Sequence, residues 1–356
     1  MSKYLINRYK TLEVYVPGEQ PKDMEYVKLN TNESPFPPSK GVLDRISSEE
    51  VSRLNLYPDP ECKKLKQKLA ELYNFNTENI FISNGSDEIL SFSFMAFCSE
   101  EVGAVFPNIS YGFYKVYGDL YDVDYKEMPL KKDFTIDIND YLNVGKTVVI
   151  ANPNAPTGLS LSVDDIEKIV ISNPENVVLI DEAYVDFGGN SCVELVRKYD
   201  NLLVVRTYSK SRSMAGARLG YAIGSKQLIE DLNRIKYSTN PYNINRLTLA
   251  AGEAAIDDND YYMSCCNEIV KIREYSKKKL SDLGFEYLDS DTNFIFAKSS
   301  IIRGEEYYQK LKQNGVLVRH FSSPLISDYV RITIGTKEQM DMLFDITEKI
   351  LQEVSL

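Results

Sequence analysis

The sequence contains no tryptophan and a single histidine, His320, among its 356 residues. A Ser-His-Asp triad needs a histidine to take the proton from its serine, and catalytic zinc sites commonly use several imidazoles. Either kind of site would have to rest on His320 alone. We therefore expect neither a triad hydrolase nor a histidine-rich metal enzyme, and we predict no metal ligands.

The chain also has few cysteines, no excess of positive charge and no long apolar run. Its five cysteines include no C-x-x-C pair, which favours reduced thiols over a disulfide framework. The formal net charge of −11 argues against nucleic-acid or anionic-membrane partners, which need basic surfaces. No segment approaches the roughly 18 to 20 apolar residues of a membrane span, and the N-terminus has no signal-peptide core. We expect a cytoplasmic protein.

Two nucleotide-binding fingerprints are missing as well. No G-x-G-x-x-G follows a first strand, and no G-x-x-x-x-G-K-[ST] occurs. The apolar content of 43% and the charged content of 26% are ordinary for a globular protein, and the length suffices for about two domains. The sequence therefore favours an ordinary α/β protein without dinucleotide or P-loop binding.

Residues 201–220 carry the most information. Residues 202–206 form a short run that is apolar up to Arg206 and includes two β-branched valines, which predicts a strand buried on both faces of a parallel sheet. Lys210 follows its carboxyl end, where open α/β sheets bind their ligands, and Arg218 comes eight residues later. Lys210 is therefore a candidate Schiff-base lysine beside a phosphate-binding Ser/Arg pair, although an isolated lysine in a polar turn is usually just exposed.

Other predicted strands also end in polar or aromatic residues. These exits carry Ser86, Asp87, Tyr111, Asn152, Asn154, Asp181 and Tyr184. Ser86 and Asp87 open a helix whose free N–H groups can cradle a phosphate, with simple N-capping as the alternative. Asp181 follows a buried strand and needs a cation, a protonated ring nitrogen or a salt bridge as partner. On one sheet edge, this set suits pyridoxal phosphate better than a nucleotide.

The element pattern predicts the domain organisation. Residues 1–30 read as an N-terminal arm, residues 31–256 as a large domain and residues 257–356 as a smaller αβ unit. Two arginines of the smaller unit, Arg319 and Arg331, lie at or within apolar strands, where a guanidinium is costly unless it meets an anion. A helix over 261–283 carries a basic face that we expect to be solvated. That face consists of Lys271, Arg273, Lys277, Lys278 and Lys279.

The order of motifs resembles that of the fold-type I pyridoxal-phosphate aminotransferases. NGSDE, PNAPTG, DEAY, SKSRSMAGARLG and VRITIG follow one another along nearly the whole chain. Among these enzymes the sequence is most similar to the histidinol-phosphate aminotransferases, through YVPGEQP, LNTNESPFPPS, YPDP and GVLVRHF. The resemblance implies an aspartate-aminotransferase-like α/β fold, with a mostly parallel sheet sandwiched by helices in the large domain.

The resemblance also implies how the chain would hold pyridoxal 5'-phosphate. Lys210 would be the Schiff-base lysine and the proton shuttle. Asp181 would pair with the pyridine nitrogen, Tyr184 would hydrogen-bond the phenolic oxygen and Tyr111 would stack on the ring. The phosphate would be surrounded by Ser86, Asp87, Ser209 and Arg218, and Tyr57 would reach it from the neighbouring subunit of a homodimer.

For the substrate, the resemblance implies four residues. Arg331 would bind the α-carboxylate, for example of glutamate. Arg319 and Tyr15 would meet the phosphate of histidinol phosphate, and Asn32 is predicted to bind substrate as well. The chain departs from the family at Ala155, where an asparagine usually touches the phenolic oxygen. Asn154 or Asn152 would take its place, or Tyr184 would hold the oxygen alone, and we list Asn154 as the candidate.

The predicted reaction is a ping-pong transamination. Histidinol phosphate and 2-oxoglutarate would be converted to imidazole-acetol phosphate and glutamate, a step of histidine biosynthesis. The alternatives are an aromatic amino-acid aminotransferase, or a decarboxylase of a phosphorylated amino acid, on the same fold. A catalytically silent regulatory homologue is the alternative that is not an enzyme.

Overall fold

A computed structural model describes residues 2, 4–6 and 9–354 of the protein. Positions 1, 3, 7 and 8 of the predicted arm and positions 355 and 356 of the predicted small domain lie outside the described residues. The described chain has the predicted α/β architecture, with a mostly parallel sheet between helices and a smaller unit that has its own sheet. The domain boundaries at residues 30 and 256 stay predictions.

Strands and helices alternate through most of the chain, as in other α/β proteins. The strands are β1 (Val27–Lys28), β2 (Ile80–Ser83), β3 (Ala104–Pro107), β4 (Tyr125–Met128), β5 (Thr147–Ala151), β6 (Val178–Asp181), β7 (Leu202–Thr207), β8 (Gly220–Gly224), β9 (Phe285–Tyr287), β10 (Phe294–Ser299), β11 (Val316–Leu317), β12 (Arg319–His320) and β13 (Tyr329–Thr333). The α-helices are α1 (Lys40–Arg45), α2 (Ser48–Ser52), α3 (Lys63–Tyr73), α4 (Gly85–Phe97), α5 (Phe113–Leu120), α6 (Val163–Ser172), α7 (Lys226–Thr239), α8 (Arg246–Asp257), α9 (Asn259–Asp282), α10 (Gly304–Gln313) and α11 (Lys337–Val354). None of the helices in the described part of the chain is long and apolar enough to cross a membrane.

The large sheet has seven strands in the order β2-β8-β7-β6-β5-β3-β4. Only β8 runs against its neighbours, and the remaining pairs are parallel. β5, β6 and β7 are buried at every residue, which accounts for their largely apolar sequences. Val148 and Ile150 pack in one core cluster and Val149 in another, because successive side chains point to opposite faces. The carboxyl ends of these three strands therefore open side by side at one edge.

The smaller unit contains an antiparallel sheet of order β12-β13-β10-β9. Its core combines Ile295, Val330 and Ile332 with residues of α9, α10 and α11. Residues 316–320 belong to two sheets, because β11 pairs with β1 whereas β12 pairs with β13. The last residues of the predicted arm are thus joined to the smaller unit through the Val27–Val316 pairing.

The basic face predicted on α9 is only partly solvated. Lys271 and Lys278 are exposed, but Arg273 and Lys277 are buried. Arg273 donates 2.8 Å hydrogen bonds to the carbonyl oxygens of Phe187 and Thr292. Lys277 forms ion pairs with Glu274 and Asp289. The prediction was wrong for these two residues because partners from elements distant in the sequence satisfy their charges.

Candidate active site

Lys210 lies just beyond the carboxyl end of β7, as predicted. Its Nζ donates a hydrogen bond of 3.2 Å to the carbonyl oxygen of Thr31, and it lies 5.7 Å from the centroid of the Tyr184 ring. The amine is therefore held on one side by a backbone carbonyl and faces an aromatic side chain on another. This places a nucleophilic group at the sheet edge where α/β proteins bind ligands.

Two cavities, of about 400 and 430 Å³, meet at Lys210. The first, which we call the inner cavity, is lined among others by Ser86, Asp87, Asp181, Ser209 and Arg218. The second, the outer cavity, is lined among others by Tyr15, Asn32, Arg319 and Arg331. Thr31, Tyr111, Ala155, Tyr184 and Lys210 line both cavities. Twelve of the fourteen predicted site residues therefore surround one continuous space.

Asp181 ends β6 and is buried at the wall of the inner cavity. Its Oδ2 accepts from the Tyr114 hydroxyl and its Oδ1 from the Ala183 N–H, both at 3.1 Å. Burial raises the pKa of Asp181 to about 6, because these two hydrogen bonds only partly compensate for the loss of water. Among the described residues no lysine or arginine forms an ion pair with it. A cationic ring nitrogen in the cavity would supply the missing partner.

The opposite end of the inner cavity is suited to an anion. Ser86 and Asp87 lie in the first turn of α4, whose N-cap residue, Asn84, makes no side-chain capping bond. The backbone N–H groups of this turn are therefore available to a ligand. Ser209 and the half-exposed Arg218 complete the group.

Asp87 contributes to this end by orienting its neighbours. Its Oδ2 pairs with the Arg218 guanidinium at 2.8 Å, and its Oδ1 accepts from the Tyr111 hydroxyl at 2.7 Å. The carboxylate thus holds one cation and one aromatic ring at the cavity wall. Gly220 allows the close packing here, because a Cβ atom at that position would lie 2.6 Å from the backbone nitrogen of Ser86.

Arg331, in the centre of β13, makes the outer cavity attractive to carboxylates. One guanidinium nitrogen donates to the carbonyl oxygen of Asn30 at 3.3 Å, whereas Nε is buried and, among the described residues, has no hydrogen-bond partner. Burial lowers the pKa of Arg331, although the group stays charged at neutral pH. A buried guanidinium nitrogen without a partner is stabilised when an anion accepts a hydrogen bond from it, so Arg331 is suited to bind a carboxylate.

Arg319 provides a second cation at the outer cavity. It donates to the carbonyl oxygens of Val16 and Pro17 at 3.0 and 3.2 Å, so it also holds the N-terminal segment in place. Beside it, the Tyr15 ring stacks on Phe113 with centroids 4.3 Å apart. Burial raises the pKa of Tyr15 and keeps its hydroxyl protonated, as a donor to an anion requires.

Asn154 does not reach either cavity. Its Nδ2 donates to the carbonyl oxygen of Ile109 and to Thr157, and its Oδ1 accepts from Ser110. The amide of Asn152 is likewise bonded at both ends to the backbone of Leu161. The short side chain at position 155 lines both cavities instead, so of the predicted partners of the phenolic oxygen Tyr184 is the one that reaches this wall.

Tyr57 lies away from both cavities. Its side chain is 77% exposed, and its ring stacks on Tyr242 with centroids 4.4 Å apart. Within one chain the residue therefore touches no part of the inner cavity. An exposed aromatic pair of this kind is suited to contact with another molecule.

Several contributing residues escaped the sequence analysis. Tyr114 binds Asp181, but the aromatic run around it does not reveal which ring faces inward. The backbone of Thr31 holds Lys210 through an interaction that has no sequence signature. Arg206, in β7, forms buried ion pairs with Glu182 and Asp186 beneath the site. The sequence signal for this network is a charged residue, Arg206, within an otherwise apolar strand, together with the acids that follow the preceding strand.

Comparison with known proteins identifies the family of this chain. The family model described as aminotransferase class I and II matches residues 24–346. The chain is 54% identical over 346 residues to the histidinol-phosphate aminotransferase of Brachyspira hyodysenteriae, covering 97% of this chain and 98% of the relative. It is 49% identical over 354 residues to the enzyme of the same name from Clostridium botulinum strain Kyoto, covering 99% and 100%.

A solved structure confirms the fold. The histidinol-phosphate aminotransferase from Sinorhizobium meliloti in complex with pyridoxal-5'-phosphate superposes with a TM-score of 0.87, covers 99% of both chains and is 23% identical. The family match is consistent with a site that contains Lys210, a buried acid and two arginines. The chain belongs to the class I and II aminotransferases.

Proposed function

We propose that the protein is a pyridoxal-phosphate-dependent aminotransferase acting on histidinol phosphate. It would exchange the amino group between histidinol phosphate and 2-oxoglutarate, giving imidazole-acetol phosphate and glutamate in histidine biosynthesis. The names of the relatives at 54% and 49% identity support this substrate. The observation that carries the proposal is the position of Lys210, between a cavity with a buried acid and a cavity with two arginines.

The inner cavity fits pyridoxal phosphate in the chemistry of its donors. Asp181 is a buried acid without an ion-pair partner among the described residues. A pyridinium nitrogen would supply the cation that it lacks. Ser86, Ser209, Arg218 and the first turn of α4 would hold the phosphate. When bound, the cofactor supplies an aldehyde that condenses with amines and a ring that withdraws electrons from the substrate's α-carbon.

The chain's own groups have separate tasks in this scheme. Lys210 would hold the cofactor's aldehyde carbon and would carry the proton to and from the substrate. Asp181 would keep a proton on the pyridine nitrogen, because a buried carboxylate stabilises an adjacent cation. Tyr184 would donate to the phenolic oxygen. Tyr111 would cover the ring, and Asp87 holds the Tyr111 hydroxyl through a hydrogen bond of 2.7 Å.

The outer cavity selects the substrates. Arg331 would bind the carboxylates of glutamate and 2-oxoglutarate, and its buried unpaired Nε supports this role. Arg319 and Tyr15 would bind the phosphate of histidinol phosphate, and Asn32 lies on the same wall. Both substrates would therefore use one space in turn, as a ping-pong reaction requires.

The proposal extends to assembly and compartment. Tyr57 is too exposed and too far from its own chain's cavities to serve there, so it would complete the phosphate site of a partner subunit in a homodimer. The five cysteines are free, which suits a reducing cytoplasm. Sedimentation of the purified protein tests the dimer, and a monomer at working concentrations would contradict it.

The direct test is the visible absorption of the protein loaded with pyridoxal phosphate, before and after substrate addition. We expect a yellow protein whose band is bleached by histidinol phosphate and restored by 2-oxoglutarate. Bleaching by tyrosine or phenylalanine but not by histidinol phosphate would replace the proposed substrate with an aromatic amino acid. Carbon dioxide release from a phosphorylated amino acid would point to a decarboxylase, and a protein that takes up no cofactor would contradict the proposal.

A further inference from the structure

The wall shared by the two cavities lacks a side-chain amide donor at position 155. Ala155 offers no side-chain donor, and the amides of Asn152 and Asn154 are used elsewhere. The Tyr184 hydroxyl remains at this wall. It accepts a hydrogen bond of 2.9 Å from Nδ2 of Asn32, a buried residue of the N-terminal half.

The orientation of the Asn32 amide is fixed by Thr333. The Thr333 hydroxyl accepts from the backbone N–H of Asn32 and donates to its Oδ1, both at 3.0 Å. Because Oδ1 is occupied in this way, the nitrogen of the amide faces Tyr184. An amide nitrogen can only donate, so the Tyr184 oxygen must accept, and the phenolic hydrogen is left to point elsewhere.

We propose that Asn32, held by Thr333, is a positioning residue that keeps the Tyr184 hydrogen directed at the cofactor's phenolic oxygen. The inference rests on the proposed function, because it needs pyridoxal phosphate in the inner cavity. Asn32 would compensate for the missing amide at position 155 by fixing the direction of the Tyr184 hydroxyl. The device also links the two cavities, since Thr333 lies two residues after Arg331 and on the same face of β13.

The measurable consequence is the pH midpoint of the bound cofactor's visible absorbance. A hydrogen-bond donor to the phenolic oxygen stabilises the negative charge on that oxygen. It therefore lowers the affinity for the proton that the oxygen would share with the Lys210 nitrogen, and the midpoint falls. Asn32→Gly removes the amide, and glycine tolerates the positive φ of 55° at this position. We expect the midpoint to rise by about one pH unit, a tenfold change in proton affinity.

A double-mutant cycle with Tyr184→Phe shows whether Asn32 acts through the tyrosine. Tyr184→Phe should raise the midpoint at least as much, and adding Asn32→Gly to it should change nothing further. Asn32→Asp keeps the shape and the backbone conformation but turns the donor into an acceptor, so it should raise the midpoint even if the glycine variant does not fold. Thr333→Ser keeps the hydroxyl and serves as the matched control with an unchanged midpoint.

The outcomes separate the inference from the proposed function. An unchanged midpoint in Asn32→Gly, or a full shift that persists in the Tyr184→Phe background, would overturn the positioning role while the cofactor assignment stands. A wild-type protein without any visible cofactor band would overturn the proposed function, and the inference with it. A shift in the single variant that disappears in the double variant supports the inference.

Discussion

The two cavities that meet at Lys210 are built from different kinds of structure. The inner cavity is formed by the ends of buried strands and by the first turn of α4, so its groups are fixed to the rigid sheet. The outer cavity joins the N-terminal segment around Tyr15 to the small sheet around Arg331. In the proposed function, the reacting groups would thus be held by the sheet, whereas substrate selection would depend on segments brought together from opposite ends of the chain.

This contrast predicts two classes of variant. Changes in the inner cavity should affect every substrate, because each one passes through the same reacting groups. Changes at the rim of the outer cavity should discriminate between substrates. The following predictions test this division, beginning with the largest effect.

Lys210→Ala should reduce turnover of all substrates by about 10⁴-fold or more, because it removes both the covalent attachment and the proton carrier. Steady-state rates with histidinol phosphate and with an aromatic amino acid measure the loss. Lys298→Ala is the matched control, because Lys298 pairs with Glu286 on the small sheet, outside both cavities. Wild-type turnover in Lys210→Ala would overthrow the assignment of the site.

Asp181→Asn should lower turnover of all substrates by about 10²- to 10³-fold, since a single fixed electrostatic partner of the reacting group is lost. The loss should be similar for histidinol phosphate and for unphosphorylated amino acids, because Asp181 lies in the inner cavity. A loss confined to one substrate would show that the division between the cavities is wrong.

The same variant has a predicted effect on the stability of the cofactor-free protein. Folding raises the pKa of Asp181 from 3.8 to about 6, so the native state binds more protons than the unfolded chain between these values. Stability from this group therefore falls as pH rises through that window, by up to about 3 kcal/mol. Urea unfolding should show Asp181→Asn gaining stability relative to wild type from about pH 4 to pH 6. A difference independent of pH would contradict the burial of an ionised carboxyl.

Arg319→Ala should be selective. Loss of one charge-assisted contact of about 2 kcal/mol would lower kcat/KM for histidinol phosphate by about 30-fold. Phenylalanine and tyrosine, which carry no phosphate, should lose little. Arg331→Ala is the informative counterpart, because the loss of the carboxylate partner should impair phenylalanine, tyrosine and glutamate more than histidinol phosphate, which has no carboxylate. Equal losses for both kinds of substrate in Arg319→Ala would rule out its role in phosphate binding.

The inner cavity was largely predictable from the sequence, for a physical reason. The apolar runs of β6 and β7 identify buried parallel strands, and the residues that follow must lie at one edge. Asp181 and Lys210 could therefore be placed together without a structure. The family resemblance supplied the individual roles that this argument leaves open.

Other features depend on contacts that no local pattern encodes. The Asn32–Thr333 hydrogen bond joins residues 301 positions apart, and the Lys210 contact with Thr31 uses a backbone carbonyl. Asn154 was predicted at the cavity, but the turn directs its amide to Ile109 and Ser110 instead. Side-chain direction in a turn follows from backbone conformation, which residue types alone do not specify.

The most direct test of the central claim is to locate the covalent attachment. The protein is loaded with pyridoxal phosphate, reduced with borohydride, digested and analysed by mass spectrometry. We predict that the pyridoxyl group is found on Lys210, at the junction of the two cavities. Labelling of another lysine, with Lys210 unmodified, would contradict the assignment of both cavities.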